Sequence, residues 1–165
     1  MKLIGKIVSG GQTGVDRGAL EAAIDLGVEF GGWAPYGWIA EDGMIPDQYR
    51  AKMQEHPSMG GKAKDYRERT KANVRDSHAT LILVDSLPLT GGTKLTYNTA
   101  LSIARSHKVI DMSMANAKDD ALKWLREFLG MPSGLVLNVA GPRESKSPGI
   151  QAMTRSFLTE LLGEL

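Results

Sequence analysis

Three short stretches place glycines just before hydrogen-bonding residues, at points where an apolar run gives way to a helical pattern. They are "SGGQTGVDRG" from Ser9, "TGGTKLT" from Thr90 and "AGPRESKSPG" from Ala140. Glycine lets a backbone approach a ligand without an intervening Cβ, and a helix start offers unpaired N–H groups and a partial positive charge. Three such starts on one edge would hold an anion without help from net charge. The candidate contacts are Gly10, Gly11, Gln12, Thr13, Gly14 and Arg17 in the first stretch and Gly91, Gly92 and Thr93 in the second. The third offers Gly141, Pro142, Arg143, Glu144 and Ser145, in which Arg143 supplies a bidentate fork and Ser145 a hydroxyl. A structural reading competes in the first two loops, whereas the third is harder to explain as structure alone because Ser147 and Pro148 already suffice to start its helix. Thr13 followed by Asp16 has the spacing of a capping box, and Thr93 reads as an ordinary N-cap.

A polar helix, "YRERTKANVRDS" from Tyr66, has only Tyr66, Thr70 and Val74 as a core face. Its Arg67, Arg69, Asn73 and Arg75 suit a solvated face, yet Arg69 and Asn73 stand one turn apart and would share a direction toward a cleft. Trp33, Tyr36 and Trp38 would either stack on a heterocycle or pack in the core.

Several familiar chemistries fail on spacing. Gly10-Gly11-x-x-Gly14 is not GxGxxG, and Trp33, Ala34 and Pro35 stand where a ribose-binding acid would be needed. Gly60-Gly61-Lys62 is followed by Ala63, so it is not a phosphate-binding P-loop. His56, His78 and His107 lack ligand spacing, and Ser9 lacks the GxSxG elbow. With no cysteine, disulfides, thiolate metal sites and cysteine nucleophiles are excluded.

The elements that must position these loops alternate. Apolar runs at 3–10, 29–35, 79–85, 108–112 and 135–141 read as strands, and the consecutive Leu81, Ile82, Leu83 and Val84 read as a parallel strand covered on both faces. Helical periodicity joins Val15 to Leu26, Leu95 to about Ser106, and Leu122 to Leu129. A last helix has Ser147 as N-cap and Pro148 at its first position. The pattern predicts an α/β fold, a single-domain Rossmann-like three-layer sandwich around a mainly parallel five-stranded sheet, spanning 1–165. The segment 41–65 interrupts the rhythm and reads as a flap, an oligomer contact or a tolerated surface insertion. Twenty basic residues stand against nineteen acidic ones, so no global field recruits nucleic acid or an anionic membrane. No apolar run approaches a membrane span, and a cytoplasmic protein is the expectation.

Taken together, "GGQTGVDRGAL", "GGWAPYGWIAEDGMIP", "YRERTKANVRDSHATLI", "TGGTKLT" and "AGPRES" resemble the molybdenum carrier family, molybdenum cofactor carrier-like proteins of a Rossmann-like superfamily that includes the LOG phosphoribohydrolases. The resemblance covers nearly the whole chain in order. It implies a homo-oligomer, dimer or tetramer, that holds molybdenum cofactor (molybdopterin) or a nucleotide at the glycine-rich loops. It implies no directly protein-ligated metal, because the cofactor's dithiolene supplies sulfur to the metal. The phosphoribohydrolases carry a glutamate in a PGGxGTxxE loop, and the matching position here is Thr96. That favours binding over hydrolysis.

The expectation is therefore a carrier of a phosphate-bearing small molecule, molybdenum cofactor or molybdate in its named version. Two alternatives stand beside it. One is a nucleotide- or nucleoside-processing enzyme with Glu144, Asp16 or Asp42 as general acid or base, and the other a sensor of a nucleotide-derived ligand.

Overall fold

The computed structural model describes residues 3–165. Its chain order begins β1 (Ile4–Val8), α1 (Val15–Asp25), β2 (Glu29–Gly31), β3 (Trp33–Ala34), β4 (Ile39–Ala40), β5 (Gly43–Met44), α2 (Asp47–Arg50) and β6 (Gln54–Glu55). It continues with α3 (Lys62–Arg75), β7 (Ala79–Val84), α4 (Gly91–Ser102), β8 (Ser106–Asp111), α5 (Ala117–Leu125), β9 (Leu135–Ala140) and α6 (Ile150–Gly163). Five strands form one parallel sheet in the order β2-β1-β9-β7-β8. All six residues of β7 are buried, as an unalternated apolar run between two helical layers requires. Burial of side chains such as Leu81, Ile82 and Leu83 removes about 1.5–3 kcal/mol of unfavourable hydration each.

The chain leaves β1 toward one sheet edge and β7 toward the other, with β9 between them. The carboxyl ends of β1, β9 and β7 therefore meet at the switch of direction, where ligand crevices form in open α/β sheets. Helix α1 packs on α6 and α3 on α4, covering the sheet with the expected α/β architecture.

Local boundaries depart from the sequence periodicity. The second predicted strand is two: at Gly32 the backbone takes φ 125°, and β3 leaves the main sheet to pair with β6. Helix α3 begins at Lys62 inside the supposed insertion, while α4 ends at Ser102 and frees Ser106 to open β8. Helix α6 starts at Ile150, after a turn through Gly149 at φ 89°, so neither Ser147 nor Pro148 opens it. The Glu144 carboxylate explains the delay by accepting the N–H groups of Gly149 (2.5 Å) and Gln151 (2.9 Å).

The segment 41–65 is anchored. Ile45, Tyr49 and Met53 are buried in the core, and the β4–β5 hairpin turns tightly through Glu41 and Asp42. That turn presents two carboxylates to the glycine loops.

Candidate functional site

The first glycine loop folds on itself. Gly11 N–H donates to Ser9 Oγ (3.3 Å), Gln12 N–H to Asp16 Oδ2 (3.2 Å), Thr13 N–H to Gln12 Oε1 (3.1 Å) and Gly14 N–H to Gln151 Oε1 (3.2 Å). Val15 N–H donates to the Pro142 carbonyl at 3.1 Å. The donors expected to cradle an anion are thus engaged by the protein. Gly10 makes room for Arg69, since an ideal Cβ there would lie 1.6 Å from Arg69 Nη1. Asp16 reaches back to Gln12 N–H, whereas the Thr13 side chain makes no cap and Gly14 opens the helix.

Two acidic residues of the hairpin turn complete this framework. Glu41 accepts the Thr13 hydroxyl, the Ser145 hydroxyl (2.5 Å) and the Ser145 N–H (3.1 Å), and its own N–H donates to Gln12 Oε1 (2.9 Å). Asp42 receives the Arg17 fork at 2.5 and 2.8 Å, while Arg17 Nε donates to the Gly11 carbonyl at 3.2 Å. The hydroxyls of Thr13 and Ser145 and the guanidinium of Arg17 already hold anions that belong to the chain. Asn73 is likewise engaged within the chain, where its amide accepts the N–H of Trp33 and donates to the Trp33 carbonyl, clamping β3.

The second loop differs. Helix α4 begins at Gly91 with no side-chain cap, and no acceptor reaches the N–H of Gly91, Gly92 or Thr93 among the described residues. A Cβ at Gly92 would meet nothing within 4 Å, and one at Gly91 would find only Lys146 Nζ, at 4.0 Å. These N–H groups face a cleft of about 640 Å³ between α3, the β7–α4 loop and the β9–α6 loop. Arg67, Arg69, Arg143 and Lys146 line it, against two carboxylates, Asp16 and Asp85. Arg69 pairs with Asp16 at 3.3 Å and Asp85 accepts the Ser147 hydroxyl at 3.0 Å, but Arg67, Arg143 and Lys146 have no ion-pair partner among the described residues. The chain is close to neutral as a whole; its cleft is cationic.

Tyr66 organises the cationic wall, with Arg143 Cζ 4.8 Å and Arg69 Cζ 5.9 Å from its ring centroid. Leu87, Pro88, Leu89 and Leu95 supply an apolar side. Burial pushes the Asp16 carboxyl above the usual carboxylate range, against the opposing pull of Arg69 and the N–H groups of Gln12 and Gly10. Desolvation acts upward on Glu41 as well, but the Ser145 and Thr13 hydrogen bonds and the field of Arg143 together hold that carboxyl low. The Arg17 fork holds Asp42 low.

Of the residues expected from sequence, the cleft gathers Gln12, Arg69, Gly91, Gly92, Thr93, Gly141, Pro142 and Arg143. Gly10, Gly11, Thr13, Gly14, Arg17, Asn73, Glu144 and Ser145 lie outside its lining, committed to the contacts above. Trp33, Tyr36 and Trp38 also lie away from it, Trp33 packing edge-on to His56 at 5.6 Å. Lys146 and Asp85 were missed. Asp85 directly follows a buried strand and Lys146 stands inside a quoted loop, so the strand-end rule was the available signal. Among the described residues no three His, Asp or Glu side chains gather to hold a metal, and no helix is long and apolar enough to cross a membrane.

A parallel five-stranded sheet covered by helices on both faces is a Rossmann-like α/β fold. Residues 7–162 match the circularly permuted YpsA SLOG family, and the chain belongs to that family. It is similar to a crystal structure from Syntrophus aciditrophicus SB named "Putative molybdenum carrier protein". The two are 38% identical with a TM-score of 0.82, over 98% of this chain and 96% of that one. No curated protein matches.

Proposed function

We propose that this protein is a cytosolic carrier of a phosphate-bearing small molecule, with molybdenum cofactor as its cargo. The observation that carries the reading is the uncapped start of α4, whose free N–H groups open onto a cleft walled by unpaired Arg67, Arg143 and Lys146. A helix N-terminus beside guanidinium and ammonium groups suits a phosphate, with Arg143 as a fork and Lys146 as a point charge. The volume lies in the range of small-molecule sites, and the apolar side would take a ring system. The cargo's phosphate would lie at Gly91, Gly92 and Thr93, its pterin between Tyr66 and Leu87–Leu89, and its metal on its own dithiolene. The name of the Syntrophus relative supports this cargo over a generic nucleotide.

The engagement of the acidic residues favours carriage over hydrolysis. Glu144 caps α6, Asp42 holds Arg17, and Asp16 is tied to Arg69 and Gln12. A thermal-shift panel of molybdenum cofactor, molybdate, AMP and NAD tests the proposal. Saturation at about 100 times the dissociation constant stabilises by about 2.7 kcal/mol. Stabilisation by the cofactor that disappears in Arg143→Ala is the expected result; silence with every anion refutes it, and release of a free base from a nucleotide favours the enzyme.

A further inference from the structure

The floor of the cleft carries donors that the chain leaves without acceptors. Gln12 is 3% exposed and lines the cleft. Its amide orientation is fixed, because Oε1 accepts the N–H of Thr13 (3.1 Å) and of Glu41 (2.9 Å). The opposite end, Nε2, is buried and bonds to nothing among the described residues. Arg69, held 3.3 Å from Asp16, likewise has a buried Nε with no acceptor. Both residues also bond the same carboxylate oxygen, Asp16 Oδ2, Gln12 through its backbone N–H and Arg69 through Nη1. A buried amide or guanidinium N–H without an acceptor costs about 1–3 kcal/mol, so two together call for a partner.

The donor-only character specifies that partner. Nε2 and a guanidinium N–H cannot accept, whereas a carbonyl oxygen has two lone pairs and can take both. A negatively charged group is disfavoured there, because the deeply buried Asp16 carboxyl already accepts from the Gln12 backbone N–H and Arg69 Nη1 beside those donors. We infer that Gln12 and Arg69 form a recognition subsite for the ring carbonyl of an oxo-heterocycle, of the 4-oxopteridine or 6-oxopurine type, in a ligand whose phosphate lies at α4. This rests on the phosphate-binding reading of the cleft and adds the identity of the ring. An amino-substituted ring such as adenine presents a donor where the oxo ring presents an acceptor, and leaves Gln12 Nε2 unpaired.

The two ring types share the carbonyl, and separate probes tell them apart. Titration of the full chain with IMP, AMP, ribose 5-phosphate and a 4-oxopteridine phosphate, followed by calorimetry, is the test. IMP, the pterin phosphate or both bind about tenfold or more tightly than AMP, which exceeds ribose 5-phosphate only by what the apolar side gives its ring. Whichever oxo ring binds more tightly is the one the subsite serves. Gln12→Glu keeps an acceptor for Thr13 and Glu41 but replaces the donor with an oxygen. It reduces the oxo-over-amino preference below about threefold; if this variant does not fold, the wild-type ligand series decides alone. Equal affinity for IMP, AMP and the pterin overturns the subsite while leaving the phosphate site standing. Equal affinity of all four compounds does the same and assigns the orphan donors to internal water. Failure of every phosphate to bind removes the carrier reading, and this inference with it.

Discussion

Replacing Gly92 by alanine separates the fold from the site. An alanine Cβ at this position meets no atom within 4 Å, and Gly92 does not have a positive φ, so the protein loses nothing in packing or backbone strain. Alanine in place of glycine in the first turn of a helix contributes up to about 0.5–1 kcal/mol, and melting rises by about 1–3 °C in a chain of this size. Binding responds in the opposite sense. An anion on the N–H groups of Gly91, Gly92 and Thr93 needs its oxygens at hydrogen-bond distance from the backbone, where a new methyl group stands. Losing one charge-assisted hydrogen bond at about 1.5–3 kcal/mol weakens binding about tenfold to over a hundredfold. Gly10→Ala gives the contrast, because its Cβ would lie 1.6 Å from Arg69 Nη1 and melting should fall. Paired thermal denaturation and calorimetry with molybdenum cofactor read both quantities. If Gly92→Ala bound the cofactor as the wild type does, the assignment of the phosphate to α4 would be refuted.

Arg143→Ala should weaken cofactor binding and flatten its dependence on salt while lowering melting only modestly, since Arg143 has no ion-pair partner among the described residues and gives up only its stacking on Tyr66 and its field at Glu41; calorimetry at two ionic strengths checks this. The lowered Glu41 carboxyl contributes stability that is present above its ordinary value of 4.5 and is lost as the pH falls through its lower folded-state value. Glu41→Gln should therefore make stability less sensitive to acid, as read by urea denaturation from neutral to acidic pH. Arg17→Met removes the fork on Asp42 and the bond to the Gly11 carbonyl, so it should destabilise by about 1–3 kcal/mol. Cofactor affinity should stay within about threefold after that change, because Arg17 is outside the cleft; denaturant unfolding and calorimetry distinguish the effects.

The sheet was legible because its causes are local. Consecutive Leu81, Ile82, Leu83 and Val84 fit only a strand covered on both faces, and β7 is that strand. Three glycine loops at strand ends followed from the same alternation, as did the location of the cleft beside them. The role of each glycine had no local cause. Gly10 is filled by a guanidinium from residue 69, Gly14 N–H is taken by residue 151, and the Thr13 and Ser145 hydroxyls by Glu41. Gly92 has no such visitor. "SGGQT" and "TGGT" look alike as sequence because a loop's free donors depend on which distant side chains arrive. By itself the sequence determined the parallel sheet and the edge at which the glycine loops gather. Only the tertiary structure decided that one glycine loop is closed by the protein's own carboxylates and amides while the other keeps its backbone donors open.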